Sequence, residues 1–243
     1  MDIIQALTGE LQVQRWQVEA AVELIDEGNT IPFISRYRKE ATGSLNDEVL
    51  RNLHERLIYL RNLEEKKTQV LSSIREQEKL TPELEKAILE AQTLVVVEDL
   101  YRPYRPKRRT RATIAKEKGL EPLANIIALQ MTDRPLSEEA EPFVSEEKGV
   151  ANVQEALAGA MDILAETVSD EADYRIRIRK MTAKSGSISS TAKKEAEQSV
   201  YEMYYDFEEP ISRIAGHRVL ALNRGEKEKI LTVKVNAPEE EIL

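Results

Sequence analysis

The sequence contains no cysteine, which excludes a disulfide framework, a thiol nucleophile and a thiolate metal site. Histidine is almost as scarce. His54 and His217 are the whole supply, and neither has a second ligand at metal-binding spacing. Aromatics are 5% of the 243 residues, and nine glycines with nine prolines are few for a fold built on tight β-turns. No apolar run approaches the ~20 residues of a membrane helix. The first residues, MDIIQALTGELQ, lack the basic stretch and apolar run of a secretory leader. These absences predict a protein of the reducing cytoplasm with no membrane contact.

Catalytic signatures are missing too. No two glycines fall in a G-x-G, no G-K-[ST] occurs, and no serine sits in a G-x-S-x-G elbow. With 44 carboxylates, neighbours such as Glu138 and Glu139 or Glu146 and Glu147 read as solvated helix surface. His54 falls beside Leu53 and Leu57 on a helical pattern, where a structural role is expected. The expectation is therefore no enzyme: no catalytic residue, no cofactor and no metal.

What the chain does have is charge and helical periodicity. Apolar residues make up 41% and charged residues 33%, which provides a core beneath a charged surface and excludes disorder throughout. The net charge of -9 hides strong segregation. Residues 1–100 carry net -7 and 101–120 carry net +7. Residues 121–172 carry net -10, 173–194 net +6, and 195–243 net -5. Charge is screened over roughly 8 Å at physiological salt, so a partner senses the basic islands more than the distant total.

Apolar spacing of three and four predicts helix almost everywhere. The clearest run is Asn46 to Lys79, where Leu50, Leu53, Leu57, Leu60, Leu63, Val70, Leu71 and Ile74 recur on one face. Such a helix is too long for one compact core, so it should cross between layers or act as a spine. Thr81-Pro82-Glu83 restarts a helix with a hydroxyl cap, proline at the first position and an acid in the first turn. Pro103 and Pro106 break the chain between Leu94 and Ile114. Helix is expected again over 120–130, 137–146, 150–168, 171–183 and 191–205, with 185–190 as a flexible serine-rich link. Beyond Pro210, the runs Arg218–Leu222 and Ile230–Val235 suggest strands joined as a hairpin. The fold class is mainly α: a multi-helix region over 1–205 with one long helix. A short β-hairpin-like segment occupies 206–243 and looks like the start of an unfinished module.

The candidate functional residues lie in the first basic island. Arg102, Arg105, Lys107, Arg108, Arg109 and Arg111 fall within ten residues with no acid among them, and Tyr101 and Tyr104 are interleaved. Guanidinium forks suit phosphate oxygens, prolines stiffen the segment, and Tyr104 could stack on a base if exposed. Alternatively, these arginines pair with acids of the same chain such as Glu98, Asp99 and Glu117. A smaller cluster, Arg36, Arg38 and Lys39, would reinforce a basic face. A third runs through Arg175, Arg177, Arg179, Lys180 and Lys184.

Three stretches carry a family resemblance: IPFISRYRKEATG over 31–43, EDLYRPYRPKRRTRATIAKEKGLEPLA over 98–124, and DFEEPISRIAGHRVLALNRG over 206–225. The chain resembles the N-terminal part of the Tex family of bacterial transcription accessory proteins. That resemblance implies a helical region with helix-turn-helix-like elements from a larger nucleic-acid-binding protein. It further implies later RNase H-like, helix-hairpin-helix and OB-fold modules that are not in these residues. The stretch 173–205 departs from the pattern and lends Arg175–Arg179 no support. The functional expectation is weak phosphate contact with RNA or DNA through the basic loop, near transcription machinery. The alternative is a scaffold that organises downstream domains of the same parent chain.

Overall fold

The computed structural model describes residues 2–106, 108–193 and 199–243, and it is mainly helical as expected. The chain divides into two compact units, 1–104 and 105–243.

In the first unit, six helices run in order: α1 (Ile3–Leu11), α2 (Arg15–Asp26), α3 (Ile31–Tyr37), α4 (Asp47–Glu76), α5 (Pro82–Glu90) and α6 (Leu94–Tyr101). A 3-10 turn, Arg102–Tyr104, follows. The expected long helix is α4, about 45 Å at 1.5 Å per residue. The Asn46 side chain accepts from the Val49 amide at 2.9 Å, and Asp47 and Glu48 in the first turn favour the positive end of the helix dipole. Its predicted apolar face is the buried one, from Leu50 to Ile74. Each such leucine contributes roughly 2 kcal/mol of gross apolar burial.

α4 acts as the spine. Arg56 forks onto Glu10 of α1 at 2.5 and 2.8 Å, and Arg61 forks onto Asp26 of α2 at 2.7 Å through both nitrogens. Further along, Lys66 pairs with Glu98 of α6, and Arg75 with Glu85 of α5. One helix thus collects α1 and α2 along its first half and α5 and α6 along its second. Thr81 caps α5 as expected, accepting from the Leu84 amide at 3.2 Å.

The second unit opens with α7 (Arg111–Glu117), α8 (Glu121–Leu129), α9 (Leu136–Ala140), α10 (Val153–Asp170) and α11 (Ala172–Ser185). Its helical core is rich in small residues, with Ala112, Ala115, Ala156 and Ala160 packed around Leu120 and Leu123. Gly159 of α10 lies so close to Leu120 that a Cβ there would meet the Leu120 Cδ1 at 2.4 Å. A sheet follows, formed by β1 (Ser187–Ala192), β2 (Asp206–Pro210) and β3 (Leu231–Asn236) in the order β2-β1-β3, antiparallel throughout. Helices α12 (Gly216–Lys227) and α13 (Glu239–Ile242) flank β3 in sequence.

Five sequence expectations are corrected here. The serine-rich stretch expected as a flexible link is β1, the central strand. Its sequence, SISSTA, shows little apolar alternation, and pairing on both edges fixes it, with the buried Ser190 hydroxyl donating to the Tyr204 carbonyl at 2.6 Å. Within the helix expected over 191–205, the described residues form the end of β1 and a 3-10 turn, Glu202–Tyr204, while 194–198 lie outside the described residues. Arg218–Leu222, expected as a strand, is helical in α12, because Leu222 and Gly225 at a three-residue step pack against Leu231 and Tyr201. The expected hairpin partner Ile230–Val235 does form a strand, but it pairs with β1. The helix expected over 137–146 is shorter, because a 3-10 turn, Glu141–Phe143, with Pro142 in its first turn, ends it.

Candidate nucleic-acid interface

α6 ends where the prolines begin. Pro103 sits in the 3-10 turn, and the Arg102 amide donates to the Asp99 carbonyl. The two tyrosines act as anchors. The Tyr101 hydroxyl shares a hydrogen bond with Ser73 at 3.0 Å. Tyr104 is half-buried against the unit's apolar core, and its carbonyl accepts from Gln77 Nε2 at 2.9 Å. Its ring is therefore committed to packing rather than presented for stacking.

Arg102 in the first unit and Arg105, Arg108, Arg109 and Arg111 in the second are all exposed, while Lys107 lies outside the described residues. Arg109 and Arg111 have acid partners close in sequence or structure. Arg109 Nη2 lies 2.6 Å from Glu117, and Arg111 Nε lies 3.6 Å from Asp162 of α10. Both guanidinium groups still face water, with side chains 68% and 86% exposed. Thr110 holds the segment to α7: its hydroxyl oxygen accepts from the Thr113 amide at 3.0 Å and lies 3.1 Å from Glu166. The segment thus has a fixed exit and outward guanidinium groups, and Arg108 makes no ion pair among the described residues.

The smaller cluster stands elsewhere. Arg36 lies in the last turn of α3, and Arg38 and Lys39 follow in the loop that leads to the N-terminal cap of α4. Tyr104 is tied to Gln77 beyond the other end of α4. About 45 Å of helix lies between those two ends, so Arg36, Arg38 and Lys39 do not extend a face with Arg102. Two residues escaped the sequence reading of this unit. One is Tyr37, exposed between Arg36 and Arg38, whose signal is an aromatic flanked by cations. The other is Lys67, fully buried in α4, whose only signal is a cation on the apolar face.

The third cluster lies along α11, where the Arg175 guanidinium donates to the Ser169 carbonyl at 3.3 Å. His54 is half-buried within α4, and His217 is exposed in the first turn of α12. Among the described residues, no cluster of three His, Asp or Glu side chains could hold a metal. No described helix is long and apolar enough to cross a membrane.

Two family models match this chain: Tex-like protein N-terminal domain over residues 1–75 and Tex central region-like over 132–242. The chain belongs to the Tex family. It is 47% identical over 241 residues to "Uncharacterized protein YdcI" of Bacillus subtilis, covering 98% of this chain and 34% of that protein. It is 42% identical over 235 residues to "Transcriptional accessory protein Tex" of Neisseria gonorrhoeae, covering 96% of this chain and 31% of that protein. A human relative, "S1 RNA-binding domain-containing protein 1", is 31% identical over 244 residues, covering 97% of this chain and 24% of that protein. The chain therefore spans about a third or less of these Tex relatives. The segment 102–111 falls between the two family matches, whereas Tyr37 and its neighbours fall inside the first.

Proposed function

We propose that this Tex chain is a non-enzymatic nucleic-acid-holding region that contacts phosphates through the arginines of segment 102–111. The observation that carries the reading is the outward placement of Arg105, Arg108, Arg109 and Arg111 on a proline-stiffened segment in an otherwise acidic chain. Exposed guanidinium groups beside prolines, which restrict the backbone before binding, lose less entropy on meeting phosphate oxygens. The printed names of the relatives, one a transcriptional accessory protein and one an S1 RNA-binding domain protein, support a nucleic-acid partner near the transcription machinery.

Contact of this kind reads backbone rather than sequence. α2 and α3 are joined by four residues with Gly28 at φ +85°, a spacing compatible with a helix-turn-helix. However, α3 opens with Ile31, Pro32 and Phe33, so its first turn offers no polar side chain to base edges. A second reading, a scaffold that docks acidic surfaces or downstream domains, draws on the Arg109–Glu117 and Arg111–Asp162 pairs.

The deciding experiment is fluorescence anisotropy of labelled single- and double-stranded RNA and DNA over a salt series. The wild-type chain is compared with Arg105→Ala/Arg108→Ala/Arg109→Ala. Loss of three phosphate contacts should flatten the log K against log salt slope by about 2 for single strands and about 3 for duplex. Identical slopes for both proteins would remove phosphates as the partner of this segment and leave the scaffold reading.

A further inference from the structure

The motif over 31–43 has no part in the proposal above, and its geometry is that of a presented ring in a cationic frame. Tyr37 ends α3 and is 67% exposed. Its ring lies 5.3 Å from Phe33 one turn earlier, and the Arg38 guanidinium lies 5.3 Å from the same Phe33 ring. Phe33 therefore orients both the tyrosine and its neighbouring cation. Arg36, Arg38 and Lys39 are exposed, and none makes an ion pair among the described residues. This sets them apart from Arg56 and Arg61 of the same unit, which are spent on Glu10 and Asp26. Arg36, Tyr37, Arg38, Lys39, Glu40 and Ala41 line a cleft of about 390 Å³, towards the small end of ligand clefts.

The loop that holds them is built and fixed. The Ser44 amide donates to the Lys39 carbonyl at 2.7 Å, and the Thr42 amide to the Arg38 carbonyl at 3.2 Å. Thr42 is fully buried, and Gln17 Nε2 of α2 ties down the Thr42 and Gly43 carbonyls at 3.2 and 3.1 Å. Core packing does not account for an exposed tyrosine at the end of α3, beside so well-tied a loop. Arg36 in the last turn does favour the helix dipole, but that effect needs neither Tyr37 nor Lys39.

We propose that the end of α3 is a second nucleic-acid site, specific for single strands, in which Tyr37 stacks on an unpaired base and Arg36, Arg38 and Lys39 hold the flanking phosphates. It rests on the reading of the chain as a nucleic-acid binder but uses different residues from segment 102–111. Single strands are favoured because a protruding ring stacks only on a base already free of its partner. Every base has a π-face, so little sequence preference is expected.

The test uses the whole chain and a short fluorescein-labelled single-stranded RNA, beside the same sequence as a duplex. Tyr37→Ala should weaken single-strand binding about tenfold, Tyr37→Phe less than twofold, and duplex binding should stay unchanged. Arg36→Ala/Arg38→Ala/Lys39→Ala should flatten the single-strand salt slope by about 2. The ring is exposed, so thermal midpoints of the Tyr37 variants should match wild type and show the effect is not misfolding. A 2-aminopurine base in the strand should be quenched by wild type and Tyr37→Phe but not by Tyr37→Ala. Unchanged single-strand affinity in Tyr37→Ala, or an equal loss on duplex, overturns the site. So does an acidic peptide that binds this cluster while the RNA does not, since that would make the partner a protein. If Tyr37→Ala has no effect while the Arg105, Arg108 and Arg109 variant loses binding, only this site fails. The converse result leaves this site standing and removes the role of segment 102–111.

Discussion

Arg109 and Glu117 lie 2.6 Å apart, so the basic segment carries its own competitor for phosphate on the helix that follows it. Both side chains are more than half exposed, so the pair itself adds little to stability. Its larger effect falls on binding, because a phosphate must displace Glu117 to engage Arg109 fully. Glu117→Gln should therefore raise nucleic-acid affinity two- to fivefold at low salt, corresponding to roughly 0.5–1 kcal/mol. The gain should fade as salt rises. Anisotropy titrations of the two proteins at two salt concentrations check this. A lower affinity in Glu117→Gln would mean that the acid positions Arg109 rather than competing for it.

Gly43 couples the loop that follows α3 to α2. Its φ is +60°, and a Cβ there would lie 2.4 Å from Trp16 Cη2. Gly43→Ala thus combines a left-handed backbone penalty with a clash against a ring, and should cost about 2–3 kcal/mol. Gly28, at φ +85° with open space around it, is the control, and Gly28→Ala should cost only about 1 kcal/mol. Trp16 is the sole tryptophan, so urea unfolding followed by its fluorescence reports the first unit directly. Gly43→Ala should also shift the native emission, which Gly28→Ala should not.

These two positions show what the sequence could and could not reveal. The α4 spine was legible because its leucines repeat at helical spacing and Asn46 caps it. The Thr81-Pro82 restart and the proline break after α6 follow from backbone chemistry that needs no partner. β1 was hidden because the stretch Ser187–Ala192 is small and polar, and its strand state comes from two neighbours distant in sequence. Arg218–Leu222 misled because a continuous run of four apolar residues, Val219 to Leu222, fits both periods until Gly225 is seen to pack beneath Leu231. The site residues were legible as charge, but their separation was not. Only the length of α4 shows that Arg36 and Arg102 cannot share one face.

Acid should loosen the first unit. Arg56 hydrogen-bonds the charged Glu10 carboxylate, and Arg61 does the same for Asp26, so both acids titrate below their ordinary values of 4.5 and 3.8. Their stabilising effect is complete above those ordinary values and is lost as pH falls through the lower folded-state values. Both pairs are about half in water, so each contributes at most about 1 kcal/mol. The urea midpoint read by Trp16 should hold steady from about pH 7 to about pH 5 and fall beneath about pH 4.5. In Arg56→Met/Arg61→Met the midpoint should be lower at neutral pH and its acid decline shallower. An equally steep decline in that variant would assign the acid sensitivity to other carboxylates.

Lys67 is the boldest placement in the first unit, a cation 1% exposed on the apolar face of the spine. Its ammonium lies 2.9 Å from Glu64 and donates at 2.9 Å to the Leu89 carbonyl in the last turn of α5. The residue thus closes a helix end that no C-terminal glycine closes, and α5 leads directly into α6 and the turn bearing Arg102. Lys67→Ala should cost about 2–3 kcal/mol, since it empties the stem's volume, leaves the Leu89 carbonyl without its donor and removes the attraction to Glu64. Lys67→Met refills the volume and should cost about 1–2 kcal/mol, mostly for the unpaired carbonyl. In a Glu64→Gln background the methionine should cost less, because the attraction between Lys67 and the Glu64 carboxylate is then already absent. Urea midpoints of the four proteins in that cycle measure the coupling. Strict additivity would show that Lys67 acts through Leu89 alone, as a cap for α5 rather than as half of a buried pair.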